Sequence, residues 1–112
     1  MKKLEEEAKK FMQLHNKSMI TADEYQRKAR ETAIYPKKEA LPYLSLGLVS
    51  EAGEVAGKVK KLIRDGTESD VASEVGDVLW YCAMLASEVN VSLGKIMEKN
   101  LEKLNDRKER GK

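Results

Sequence analysis

The chain has 112 residues, enough for one domain with a modest core and too few for two. Its 21 basic and 19 acidic residues nearly cancel to a formal charge of +2, which excludes a general attraction to nucleic acid or an anionic membrane. No apolar run approaches the roughly 20 residues of a membrane span, and the opening MKKLEEEAKK lacks the apolar block of a signal peptide. Any electrostatic function must therefore be local. The lone cysteine, Cys82, sits in an apolar stretch and reads as core; with no partner for an intrachain disulfide it suits a reducing, cytoplasmic setting.

With only two prolines and few β-branched runs, almost the whole chain reads as helix. Leu4, Ala8, Phe11, Met12 and His15 recur at helical spacing and predict a first amphipathic helix over 2–16. NKSM breaks it. Met19 is an alternative start, so residues 1–18 read as an N-terminal helical extension on a core of 19–110 within a single domain. His15 invites a metal role, but a lone histidine on such a helix reads as a packing or surface residue. Thr21 and Glu24 form a T-x-x-E capping box, predicting a second helix to about Ala33 with Ala22, Tyr25, Ala29 and Ala33 inward.

IYPKKEALPY carries both prolines and is expected to be a connection, since Pro36 and Pro42 bias their preceding residues away from helix. A third helix follows, with Leu44, Leu48, Ala52, Val55, Val59 and Leu62 on one face, until Asp65-Gly66 marks a turn. The fourth starts near Asp70 and carries Val71, Val75, Val78, Cys82, Leu85 and Val89. Ser92 is the N-cap of a fifth, with Leu93, Met97, Leu101 and Leu104 inward. The expected fold is all-α, a bundle of four to five helices centred on the hairpin of helices three and four.

Two hexapeptides on that hairpin repeat one phrase, SEAGEV at 50–55 and SEVGDV at 73–78. Each places two acids three residues apart around a glycine, although mid-helix glycine costs about 1 kcal/mol against alanine. Spacing alone carries little weight, because 19 acids make such pairs common and the chain contains four. Asp65/Glu68 fall in a turn and Asp106/Glu109 in the polar tail, which makes them solvated surface. Glu51 and Glu54, by contrast, lie roughly 60° and 120° from the apolar stripe of helix three, and Glu74 and Asp77 lie on the same flank of helix four. Two antiparallel helices with matching flanks bring all four carboxylates toward one place. Gly53 and Gly76 would let a helix or ligand approach closely. The pairs are staggered by about 9 Å along a straight symmetric hairpin, so helix three must overhang, bend or end before Arg64.

Carboxylates about 6 Å apart repel by about 3 kcal/mol at an effective dielectric near 20. Oxygen-only ligands select a hard cation, and Mg²⁺ is the usual one when phosphates supply the remaining ligands. The pattern is that of metal-assisted phosphoryl chemistry, with simple helix packing as the bland alternative.

EAGEV followed by SEVGDVLWY resembles the E-x-x-E…E-x-x-D signature of the MazG-like, all-α nucleoside triphosphate pyrophosphohydrolases, and the likeness extends from about Asp23 to Arg107. The resemblance implies an enzyme that splits a (d)NTP into the monophosphate and pyrophosphate with Mg²⁺, or Mn²⁺ as a substitute. It makes Glu51, Glu54, Glu74 and Asp77 metal ligands and catalytic carboxylates, with water as nucleophile and a glutamate as base. It implies nucleotide contacts for Tyr81, Asn100 and Lys103 and a homodimer or homotetramer with the site between subunits. Lys58, Lys61 and Arg64 lie near enough in sequence to reach a triphosphate, Lys61 among the substrate contacts, against a surface reading for all three; Arg107 divides evenly between solvated face and ligand. Trp80 reads as core or interface. A related substrate such as a phosphoribosyl-ATP-like compound, or a non-catalytic oligomerisation module, remains a rival. Base, sugar and biological role, house-cleaning of damaged nucleotides included, are beyond the sequence.

Overall fold

The computed structural model describes residues 2–13, 19–66 and 70–111. Of these 83% are helical, and no strand occurs among them. The order is α1 (Lys2–Gln13), α2 (Ala22–Arg30), a short 3₁₀ turn (Lys37–Glu39), α3 (Ala40–Asp65), α4 (Val71–Glu88) and α5 (Leu93–Glu109). The all-α expectation holds. His15 and Glu68 lie outside the described residues.

Helix ends follow the local chemistry of the sequence. Thr21 Oγ1 accepts from the Glu24 amide and the Glu24 carboxylate accepts from the Thr21 amide, both at 3.1 Å. This reciprocal capping satisfies two donors with no intrahelical partner. It also holds the Glu24 carboxyl below its usual range. Gly66 closes α3 with φ +63°, its amide bonded to the Leu62 carbonyl. Asp70 caps α4 through the Ser73 amide, and Ser92 caps α5 through the Lys95 amide.

Two boundaries differ from expectation. α2 ends at Arg30 rather than Ala33, because the Thr32 hydroxyl donates to the Ala29 carbonyl at 2.7 Å and the amides of residues 31–33 tighten into 3₁₀ bonds. α3 begins at Ala40, so Pro42 stands inside its first turn rather than in the connection. A proline there loses nothing, since first-turn amides have no intrahelical acceptor.

The α3/α4 hairpin is the centre; α2 packs across α4, α5 rests on α2 and α4, and α1 touches α4. Leu44 and Met84 are completely buried at the crossing, with Ala29, Ala83 and Leu93 beside them and Tyr25, Trp80, Tyr81 and Leu85 around. Trp80 joins this core: its indole donates to Thr32 Oγ1 at 2.9 Å and its ring meets Tyr81 edge-on at 5.0 Å. Buried Gln26 clamps α2 to the α4–α5 turn, accepting from the Leu93 amide at 2.7 Å and donating to Ser87 Oγ and the Val91 carbonyl.

The inward faces need correction. On α4 the buried residues are Ala83, Met84 and Ala86, while Val75 and Val89 are more than half exposed. On α5 only Leu93 is buried; Met97, Leu101 and Leu104 face outward. On α1, Phe11 and Met12 are exposed. The radius of gyration, 16.5 Å, exceeds the about 13 Å of a compact chain of this length. One copy of the chain thus leaves much apolar helix surface without a partner.

Candidate metal centre

Along α3, Tyr43, Gly47, Glu51 and Lys58 stand at steps of four, four and seven, which keeps them on one helical face. Along α4, Glu74, Asp77 and Tyr81 do the same. These two faces meet. The Tyr81 ring lies against the backbone of Gly47, where any Cβ would collide with it. One side-chain oxygen from each of Glu51, Glu74 and Asp77 lies within 4.8 Å of the others. The acids therefore sit not beside the apolar stripe but on the inner face itself, continuing it outward from buried Met84.

The expected stagger is removed by overhang. Pairing Gly47 with Tyr81 and Glu51 with Asp77 sets the start of α4 opposite about Gly57, so α3 runs about two turns further before it ends at Asp65. Ile63, 77% exposed, lies in that overhang.

Burial, then Asp77, Glu74 and Glu54 in that order, push the Glu51 carboxyl above its usual range. Glu54 thus contributes to the shift of Glu51 but stands outside the group of three, on an exposed part of α3. Burial also raises the Tyr81 hydroxyl, with further contributions from Tyr43, Glu51 and Asp77. Tyr25 on α2 is raised by burial and by Asp77. The donor set is all oxygen and anionic, the chemistry that holds a hard divalent cation and neither copper nor a cluster metal.

Of the basic and polar residues expected at the site, one stands against the cluster and the others lie apart from it. Lys58 Nζ is 4.0 Å from Glu74 Oε1. Arg64 is instead engaged with Asp65 through two 2.7 Å bonds, and after Arg64 it is Lys61 that lowers the Asp65 carboxyl. Asn100 and Lys103 line a cavity of about 340 Å³ on α5 with Val91, Lys95, Ile96 and Lys99. α5 packs on α2 and α4 and its backbone does not come close to that of α3 among the described residues. Gly53 and Gly76 have open space where a Cβ would stand; the close helix approach is at Gly47 instead. Gly47, Tyr43 and the Lys58 to Glu74 pairing went unread in the sequence, although the four-residue step leading to Glu51 was a signal for the first two.

A model of the MazG nucleotide pyrophosphohydrolase domain matches residues 41–111, well over half the chain. The chain belongs to this family. A MazG domain is all-α and a nucleotide pyrophosphohydrolase, and the family is generally divalent-metal dependent. The chain is also 45% identical over 102 residues to the Gene 37 protein of Mycobacterium phage L5, an alignment that takes in 80% of this chain and 90% of that one. No solved structure matches it. No described helix of this MazG domain is long and apolar enough to cross a membrane.

Gly47 gives the site its first test. Gly47→Ala is expected to cost about 1–3 kcal/mol by forcing the Tyr81 ring from its place, and to weaken nucleotide binding along with stability. Thermal melting and KM check it; unchanged values of both would mean that Tyr81 moves freely.

Proposed function

We propose that this MazG protein is a Mg²⁺-dependent nucleoside triphosphate pyrophosphohydrolase, converting a (d)NTP and water into the (d)NMP and pyrophosphate. The observation that carries the reading is the convergence of Glu51, Glu74 and Asp77 on one face between two helices. Three like charges at that spacing are held together by the fold against their own repulsion, and a cation is what offsets it. Glu51, Glu74 and Asp77 would hold the metal, with Glu54 close by. When bound, the ion supplies charge neutralisation for the triphosphate and the departing pyrophosphate; Mn²⁺ is expected to substitute for it.

The chain's own groups supply the rest. In the hydrolysis a water oxygen forms the new bond to phosphorus, the bridging P–O–P bond breaks, and pyrophosphate leaves with the electron pair. The proton lost by the water passes to a carboxylate, for which the glutamates of the cluster are positioned. Tyr81, raised in pKa and fixed on Gly47, presents a protonated hydroxyl beside the carboxylates and is proposed as a nucleotide contact. Asn100, Lys103 and Lys61 are proposed to reach the phosphates or sugar from outside the group of three.

For Asn100 and Lys103 we propose that a second copy of the chain supplies these contacts. Leu101 is 60% exposed and Leu104 46%, and both stand on the same helix as Asn100 and Lys103. We therefore propose a homodimer or homotetramer in which α5 of one protomer completes the site of another. Nucleic acid and membrane are not expected partners, and the setting is proposed to be cytoplasmic.

The test is pyrophosphate release from a panel of ribo- and deoxynucleoside triphosphates with Mg²⁺ and with EDTA. Release from at least one nucleotide, lost in EDTA, is expected. No release from any of them, with a melting temperature indifferent to Mg²⁺, sinks the proposal.

A further inference from the structure

Among Lys58, Lys61 and Arg64, Lys58 is the one whose cationic nitrogen stands against the carboxylate cluster. It lies seven residues after Glu51 and four after Glu54, so its stem runs along the same face of α3. In the antiparallel register Glu74 stands opposite about Glu54, one turn before Lys58, and the lysine stem spans that turn to place its ammonium 4.0 Å from Glu74 Oε1. The Lys58 side chain is 37% exposed and that of Glu74 18%. The carboxylate is thus largely withdrawn from water, whereas the lysine is the more exposed of the two side chains.

We propose that Lys58 is a built-in counterion which a divalent cation displaces from Glu74, and that the displaced ammonium then binds the polyphosphate of the substrate. The proposal rests on the reading of Glu51, Glu74 and Asp77 as a metal site. A lysine ammonium and a metal ion at Glu74 repel one another and draw on the same carboxylate, so they compete for it. A flexible four-carbon stem lets the ammonium swing without moving the helix. A triphosphate that arrives with the metal presents fresh anionic oxygens next to the position the ammonium leaves. Lys58 therefore weakens metal binding by the empty protein and strengthens binding of the metal-nucleotide complex, which favours loading of the two together.

These two effects have opposite signs, and that separates the proposal from a structural role. Lys58→Met keeps the stem and removes the charge. Titration with Mn²⁺ alone, followed by calorimetry, is expected to show about threefold tighter binding in Lys58→Met, the scale of a partly exposed ion pair removed. KM for the best triphosphate of the panel is expected to rise about tenfold, the scale of removing one charge-assisted hydrogen bond to phosphate, with a smaller change in kcat. Lys58→Arg should restore most of KM. Mn²⁺ binding that is unchanged or weaker in Lys58→Met overturns the proposal, as does an unchanged KM. A parent protein that takes up no Mn²⁺ overturns the metal-site reading itself, and the proposal with it; a parent that binds Mn²⁺ while the variant fails the sign test overturns the role of Lys58 alone.

Discussion

Glu51→Gln is expected to lower pyrophosphate release by about 100-fold or more while raising the melting temperature of the metal-free protein. Partners that merely orient a metal ligand cost about 10–100-fold when removed, and a ligand of the cluster should lie at the top of that range or beyond it. The stability gain follows from the sign of the pKa shift. Glu51 is raised above 4.5 by burial and by Asp77, Glu74 and Glu54. The folded chain then holds this proton more tightly than the unfolded chain does. Ionisation consequently weakens the fold as pH rises above about 4.5, and the penalty is complete once the folded-state pKa is passed. Glutamine carries no such penalty. The metal-free parent should therefore lose stability between mildly acid and neutral pH to a greater degree than Glu51→Gln. Mg²⁺ should reverse the order at neutral pH, because ligand binding stabilises only the chain that binds it. Melting curves with and without Mg²⁺ at two pH values check both statements, and a variant that keeps the parental rate removes Glu51 from the site.

Leu44→Ala and Met84→Ala are each expected to cost about 3 kcal/mol, a large share of the about 5–15 kcal/mol that holds a typical domain folded. These two are the largest fully buried side chains among the described residues, and they meet where α3 crosses α4. A drop of more than about 10 °C in melting temperature follows for a chain of this size. Leu104→Ala is the contrast. Leu104 has similar chemistry but is 46% exposed in one chain, so truncation should barely change the fold of a protomer while shifting self-association toward smaller species. Sedimentation at several concentrations reads that shift, and an unaltered mass distribution would take Leu104 out of the proposed interface.

How much of this was legible in sequence differs from residue to residue. The Thr21/Glu24 box, the Ser92 cap and the Asp65-Gly66 stop were readable because each depends on atoms within a few residues. Pro42 misled for the complementary reason: its effect depends on where in a helix it falls, and the first turn tolerates it. That the repeated acid pairs converge was readable, but their exact company was not. Glu54 stands off from Glu51, Glu74 and Asp77, while Tyr43 and Lys58 join the same face. Gly53 and Gly76 looked like the contact glycines because they sit inside the repeats, yet Gly47 is the one that Tyr81 touches.

Periodicity failed in one consistent way. It marked Val75, Leu101 and Leu104 as inward because apolar residues at helical spacing are buried against something, and it cannot say whether that partner is the same chain. It also set the acids on a flank of α4, since a wheel drawn from apolar residues alone cannot represent an inner face that turns from apolar to acidic along its length.

By itself, then, the sequence determined the helices, their caps and the two acidic phrases of the central hairpin, all matters of local spacing and of which side chains can bond to nearby backbone. Only the tertiary structure decided which carboxylates meet. The overhang of α3 sets the register against α4, and register is the joint outcome of Leu44 packing on Met84 and Tyr81 packing on Gly47, contacts between residues about 35–40 positions apart that no local pattern contains.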